Sequence, residues 1–279
     1  MKRAGVIGWP VAHSLSPVLH GYWLKEHGIE GTYEKIPAAP EDFQGTIARL
    51  RADGYAGVNV TVPHKEAAFA LANSNDAVAQ SAGATNLLIF HGDGICGRNT
   101  DAYGLAASLQ ENIGRLDGRE AVLLGAGGAA RGAILSLDQL GVGTIHLRAR
   151  DGAKAHKLAS SLAQHVKAKI LPGALSDWSA VARQAALVVN STSAGMEGNP
   201  PLHLDLSVLP NNAAICDIVY SPLETQLLKD AKASGRKAID GLGMLMHQAV
   251  PSFEAFFGMR PEVTSGLRAA LVDALGKRA

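Results

Sequence analysis

Lys65, Asp101 and a group of hydroxyl and amide side chains are the residues of this chain best suited to chemistry. Ser14 and Ser16 share the stretch GWPVAHSLSP. Asn59 and Thr61 alternate in GVNVTVPHKE, with Lys65 directly behind them, and Asn86, Asn99 and Asp101 follow within ATNLLIFHGDGICGRNTD. One cation, one carboxylate and many neutral hydrogen-bonding groups suit a small polyhydroxylated substrate better than a phosphate or an aromatic one. The ten histidines are scattered, with no H-E-x-x-H or paired-cysteine spacing, so no metal set is expected. The absence of a G-x-S-x-G elbow argues against a hydrolase triad. Each candidate also has a plainer reading. Ser14 and Ser16 can cap a helix near Pro17, Asn59 and Thr61 can sit on a solvated strand face, and Lys65 can be a surface lysine. Asp101 can be the N-cap of a helix beginning at Ala102.

A second constellation is AVLLGAGGAARG, Ala121 to Gly132. Four apolar residues read as a short buried strand, and the chain then turns on Gly125, Gly127 and Gly128 into an alanine-rich helix start. This is a G-x-G-x-x-G/A arrangement with Ala130 in the third position. Gly125 permits the turn, Gly127 lets the backbone approach a pyrophosphate, and Ala130 keeps helix and strand close. The helix N-terminus offers N–H groups and a positive dipole end to phosphate. An adenosyl-cofactor methyltransferase shows a similar loop, so this motif alone leaves the class open.

The elements that must position these groups alternate. Strands are expected at Ala4 to Ile7, Thr32 to Ile36 and Val58 to Val62, the last with one buried face. Helices are expected at Pro17 to His27 and Pro40 to Asp53, with another opened by Lys65. A hairpin turned by His91 to Gly94 and a helix from Ala102 to Ile113 lead to the glycine turn. Beyond it come strands at Thr144 to Leu147, Leu187 to Asn190, Ala214 to Val219 and Lys237 to Ile239. Helices at Ala153 to Leu162 and Thr225 to Ser234 alternate with them. Two last helices, Leu242 to Phe257 and Pro261 to Lys277, have nothing to extend the sheet. The pattern is α/β, and helices of this kind often fold back on a first lobe, leaving a cleft where ligands bind.

At 279 residues the chain exceeds one typical domain, and its 47% hydrophobic content suffices for two cores. A net charge of +1 offers no electrostatic footprint for nucleic acid or an acidic membrane. With only Cys96 and Cys216, a disulfide framework is not expected and a reducing compartment is. Gly8, Pro10 and His13 interrupt the apolar start too early for a signal-peptide core, and no later run spans a bilayer. A cytoplasmic protein, monomeric or homodimeric, is the expectation.

Taken together, GWPVAHSLSP, GVNVTVPHKE, GATN, GRNTD, GAGGAARG, NSTSAGM, DIVYSPLETQLL and GLGMLMHQA resemble the shikimate dehydrogenase family, in the family's order and over nearly the whole chain. The resemblance implies an N-terminal α/β substrate lobe (1–101), a Rossmann-type NAD(P) lobe (102–240) and C-terminal helices (241–279) packing back on the first. It implies NADP-linked reduction of 3-dehydroshikimate to shikimate, a step toward aromatic amino acids, with Lys65 and Asp101 as the catalytic pair. Ser14, Ser16, Asn59, Thr61, Asn86, Tyr220 and Gln248 would hold the substrate. Gly125, Ala126, Gly127, Gly128, Ala129, Arg150, Asp151, Thr192 and Gly241 would hold the cofactor. Paired serines fit a shikimate-like carboxylate, whereas relatives favouring quinate tend to carry threonine at the second position.

The chain departs from the family pattern in three places. Leu87 replaces a threonine beside Asn86, Ala102 replaces the glycine after Asp101, and Ala149, Arg150 and Asp151 stand where the family has Asn-Arg-Thr. In a dinucleotide-binding unit an acidic residue after the second strand favours NAD and an arginine favours NADP. Arg148 and Arg150 against Asp151 put NADP first, with NAD as the alternative, and Asp151 opposes the phosphate unless it turns to solvent. Two other readings remain: an NAD-using quinate or amino-shikimate paralogue, and a metabolite- or nucleotide-binding regulator without turnover. Retention of Lys65 and Asp101 favours the enzyme.

Overall fold

The computed structural model describes residues 1–92 and 94–277, and these form two compact units. The first comprises Met1–Thr100 and the chain from Met246 onward; the second is Asp101–Leu245. In chain order the elements of the first unit are β1 (Lys2–Gly8), α1 (Ser16–Glu26), β2 (Gly31–Pro37), α2 (Phe43–Ala52), β3 (Gly57–Val60), α3 (Lys65–Leu71), β4 (Ser74–Asn75), α4 (Ala77–Ala82), β5 (Leu87–His91) and β6 (Gly94–Arg98). Their sheet order is β2-β1-β3-β5-β6-β4, parallel through the first three strands and antiparallel across β3/β5 and β5/β6. The expected hairpin is present, although Asp93 in its turn lies outside the described residues, as do residues 278 and 279 of the C-terminal segment.

The expected half-solvated strand around Asn59 is corrected. All four residues of β3 are buried, and Val62, beyond its end, is 69% exposed. Val58 and Val60 pack with Ile7, Phe43 and Ile47 in one core. The alternate face carries Asn59 to Ser252, on a helix that closes the unit from the other end of the chain. Hydrophobic alternation marked the strand correctly, but its polar face is covered.

The second unit continues with α5 (Asp101–Ile113), β7 (Glu120–Leu124), α6 (Gly128–Gln139), β8 (Thr144–Ala149), α7 (Gly152–Leu162), β9 (Lys169–Ala174), α8 (Trp178–Ala182), β10 (Ala185–Asn190), β11 (Ala214–Asp217), α9 (Gln226–Ala233) and β12 (Lys237–Ile239). Then come α10 (Leu242–Phe257), within which the unit division falls, and α11 (Ser265–Gly276). The sheet is all parallel, in the order β12-β11-β10-β7-β8-β9. Counted from β7 this is 3-2-1-4-5-6, the doubly wound dinucleotide order, whose direction reverses between β7 and β10. Ligands of such sheets bind beyond the strand ends at that reversal.

In the first unit, α10 and α11 pack against α1. The Trp23 indole donates to the Glu262 carbonyl (3.0 Å), and Phe253 meets Trp23 at a ring separation of 5.3 Å. Trp23, Phe253 and Phe256 are almost fully buried, each worth about 1.5–3 kcal/mol or more by apolar transfer.

Candidate functional site

The polar residues expected on the first unit converge. Asn86 is 3% exposed; its Oδ1 accepts from the Thr100 amide (2.8 Å) and its Nδ2 donates to Thr100 Oγ1 (3.0 Å). Both Asn86 Nδ2 and Thr100 Oγ1 reach Gln248 Oε1 on α10, at 3.5 and 3.4 Å. Asn59 Nδ2 donates to the Asn86 carbonyl (3.2 Å) and to Ser252 Oγ (2.8 Å), while its Oδ1 accepts from the Tyr33 hydroxyl (2.8 Å). Ser16 in turn hydrogen-bonds Tyr33. Residues far apart in sequence thus form one buried amide and hydroxyl network, as buried polar groups require. Tyr33, Thr100 and Ser252 were not among the expected residues; Thr100 stands within GRNTD, directly before Asp101, whereas no motif marks Tyr33 or Ser252.

The capping reading fits Ser14 and not Ser16: Leu15 before α1 has helical dihedrals and no side-chain cap, while Ser14 Oγ accepts from the Ser16 amide that opens the helix (3.2 Å). Thr61 sits against β1: its methyl lies 2.4 Å from where a Cβ on Gly8 would stand, so only glycine lets the two strand ends approach. Lys65 opens α3 and is half-buried, and its carbonyl accepts from the Thr85 amide (2.9 Å) next to Asn86. A cation in the first helical turn opposes the helix dipole, a position that stability alone does not favour.

Beneath this network lies His20, fully buried, its ring stacked on Tyr33 at 3.8 Å with Trp23, Phe253 and Phe256 around it. Both its ring nitrogens are without hydrogen-bond partners, and burial pushes the imidazole down to about 3.

In the second unit, Asp101 is the first residue of α5, not the residue before it, so the N-cap reading is corrected; a carboxylate there complements the helix dipole. Its Cβ lies 3.3 Å from where a Cβ on Gly132 would stand, which fixes it against α6. Ala102, behind it, is fully buried.

At the reversal of the second sheet opens a cavity of about 600 Å³. Of the residues named for the cofactor, Gly125, Ala126, Gly127, Arg150, Asp151 and Thr192 line it; Gly128, Ala129 and Gly241 are not in its lining. Gly241 is instead pressed to within 2.1 Å (as a Cβ would measure) of the Ile218 carbonyl, and its amide donates to the Val219 carbonyl (3.3 Å). Gly125 adopts φ +111°, a conformation costly for any other residue. A Cβ on Gly127 would meet nothing within 4 Å, leaving an open cradle. Gly127 is the N-cap of α6 and supplies no side-chain cap, so the helix N-terminus is open to an anion.

The charges around this cavity differ from the expectation. Arg148 is 7% exposed; β8 runs on through it to Ala149, and its guanidinium donates to the Leu147 and Leu171 carbonyls (3.0 and 2.7 Å). Burial lowers its pKa and Asp177 opposes that shift, so its charge is matched inside the protein. Asp151, at the cavity edge, caps α7, with Oδ1 accepting from the Ala153 and Lys154 amides (3.0 and 3.4 Å). Lys154, one turn on, lines the cavity beside Arg150. It was not among the expected residues. Among the described residues no group of histidine, cysteine or acidic side chains could hold a metal.

The substrate-binding domain model of shikimate dehydrogenase matches residues 6–88, from β1 into β5. The shikimate dehydrogenase (NADP(+)) of Azorhizobium caulinodans is 45% identical over 280 residues, covering 100% of this chain and 98% of that one. The chain belongs to the shikimate dehydrogenase family. A solved shikimate dehydrogenase of Thermus thermophilus, in complex with NADP(H) and shikimate, superposes with a TM-score of 0.87 at 35% identity, covering 98% of this chain and 100% of that one. Quinate dehydrogenase of Corynebacterium glutamicum, in complex with NAD, superposes with a TM-score of 0.89 at 29% identity over 98% of this chain and 99% of that one. One of these relatives of the same fold is thus solved with NADP(H) and the other with NAD.

Proposed function

We propose that this chain catalyses the reversible, NADP-dependent reduction of 3-dehydroshikimate to shikimate. The observation that carries the reading is the buried joining of Asn59, Asn86, Thr100 and Gln248 beside Lys65, in a chain 45% identical over its whole length to a shikimate dehydrogenase. Gly125 to Gly127 and the open N-terminus of α6 suit the pyrophosphate, while Arg150 and Lys154 suit a 2′-phosphate. When bound, the nicotinamide supplies the hydride. Lys65 supplies the proton to the ketone oxygen and stabilises the negative charge that develops there; in the reverse direction it takes the proton back. Asp101 is the carboxylate assigned to the same step. Ser14 and Ser16 are assigned to the substrate carboxylate, and Asn59, Thr61, Asn86, Tyr220 and Gln248 to its orientation. Gly128, Ala129, Thr192 and Gly241 complete the cofactor assignment. The reading extends to a monomer or homodimer working in the cytoplasm, without nucleic acid; no helix is long and apolar enough to cross a membrane among the described residues.

NAD is the second cofactor to test, because Asp151 stands in place of the family's threonine and its charge would oppose a 2′-phosphate. Its engagement as the α7 cap favours NADP. Initial rates with shikimate and with quinate, each with NADP and NAD, decide the matter. The highest kcat/KM is expected for shikimate with NADP. A higher value for any other pair would replace the reading.

A further inference from the structure

A buried carboxylate in the second unit has no part in the assignments above. Asp217 closes β11 and is 0% exposed, and its register partner on β10 is Asn190, also 0% exposed. Three donors converge on Asp217: Asn190 Nδ2 at 3.0 Å and the Val219 amide at 3.1 Å on Oδ1, and Thr225 Oγ1 at 2.8 Å on Oδ2. Thr225 is the N-cap of α9, so the carboxylate ties two strands and a helix. Burial raises its pKa and the three donors pull it down.

The consequence runs through Asn190. A carboxylate accepts and does not donate, so Asn190 must turn its NH2 toward Asp217 and its carbonyl oxygen away. That oxygen accepts both the amide and the hydroxyl of Thr192, at 3.1 and 2.7 Å, and Thr192 Oγ1 accepts the Ala194 amide (3.1 Å). The residues so ordered, Thr192 to Ala194, line the cavity, and Thr192 Cγ2 lies 3.0 Å from where a Cβ on Gly125 would stand. With the amide reversed, two Thr192 donors would face an NH2. A buried charge retained for stability alone is poorly motivated, since apolar replacements of such groups are often neutral.

We propose that Asp217 is a positioning residue for the dinucleotide: by setting the Asn190 amide it holds the Thr192–Ala194 loop against the glycine turn. The proposal rests on the reading that this cavity takes NADP. Asp217→Asn introduces a donor among three donors and is expected to weaken NADP binding about 10-fold, with KM for shikimate nearly unchanged. In the ligand-free enzyme it should speed amide exchange at residues 192–194. The paired variant Thr192→Val with Asp217→Asn should bind NADP no worse than Asp217→Asn alone, because both act on one path. Thr192→Ser, which keeps the hydroxyl, should retain most of the affinity. Should Asp217→Asn not fold, Asn190→Ala interrupts the same path at its middle and is held to the same expectations. Calorimetric titration with NADP and hydrogen exchange give the readouts. Additive losses, or unchanged exchange at residues 192–194, overturn the proposal while the cofactor reading stands. Failure of the unmodified enzyme to bind NADP overturns the cofactor reading and the positioning role with it.

Discussion

Lys65 carries the sharpest expectation at the scale of single residues. As the group that protonates the developing alkoxide, it should matter to the chemical step more than to binding. Lys65→Ala is expected to lower kcat at least about 100-fold, with a smaller change in KM; steady-state kinetics showing near-normal kcat would make it a binding or surface residue. His20 makes a different kind of prediction. Its imidazole titrates near 6.5 when free and about 3 in the fold. Between those values the unfolded chain binds a proton that the native state refuses, so stability falls as pH drops below about 6.5, and this group has no effect above it. His20→Phe removes that dependence. Relative to the unmodified protein, its unfolding free energy should rise by about 2 kcal/mol between pH 8 and pH 5. Denaturant titrations at the two pH values would show it, and a constant difference would mean the site admits a proton.

Helices and strands decide how the charges near the cofactor are shared. Asp151 is the N-cap of α7, so Asp151→Ala should cost about 1 kcal/mol of stability and leave KM for NAD no worse. A rise in KM for NAD specific to that variant would make Asp151 a ribose ligand. Arg150→Ala should raise KM for NADP more than for NAD, since the guanidinium pairs with the extra phosphate. This is also the scale at which the sequence was least transparent. The glycine turn, the 87–98 hairpin and α10 could be read directly, because turn chemistry and apolar periodicity are local. β9 could not: Pro172 interrupts its pattern, tolerable because β9 is an edge strand pairing only with β8. β8 runs two residues further than expected and buries most of Arg148, which still lines the cavity, and it is Lys154, beside Arg150, that the sequence did not mark. The hydroxyl and amide residues of the first unit were legible individually, Thr100 included through GRNTD, whereas Tyr33 and Ser252 emerge only when long-range packing brings them together.

Under the proposed function the cofactor assignments fall in residues 101–245 and the substrate assignments, Asp101 and Tyr220 apart, in residues 1–100 and 246–277, so the responses to the two ligands should largely separate. A ligand that binds only the native state adds about 2.7 kcal/mol of stability at 100 times its Kd. NADP alone should slow amide exchange chiefly within residues 101–245, and shikimate alone chiefly within residues 1–100 and 246–277. Exchange measured with each ligand in turn tests this; protection of the opposite unit would reassign the sites.

The first unit is assembled from both ends of the chain, and this sets a schedule for its synthesis. Trp23 and Tyr33 leave the ribosome early, but their covering rings, Phe253 and Phe256, are encoded after all of residues 101–245. At about 5–20 residues per second the wait is roughly 10–45 s. During it the second unit can complete its own parallel sheet, while the face of α1 stays open to whatever apolar surface it meets. The nascent chain thus passes through a state with one finished half and one exposed half, and translation speed across residues 101–245 governs how long that exposure lasts.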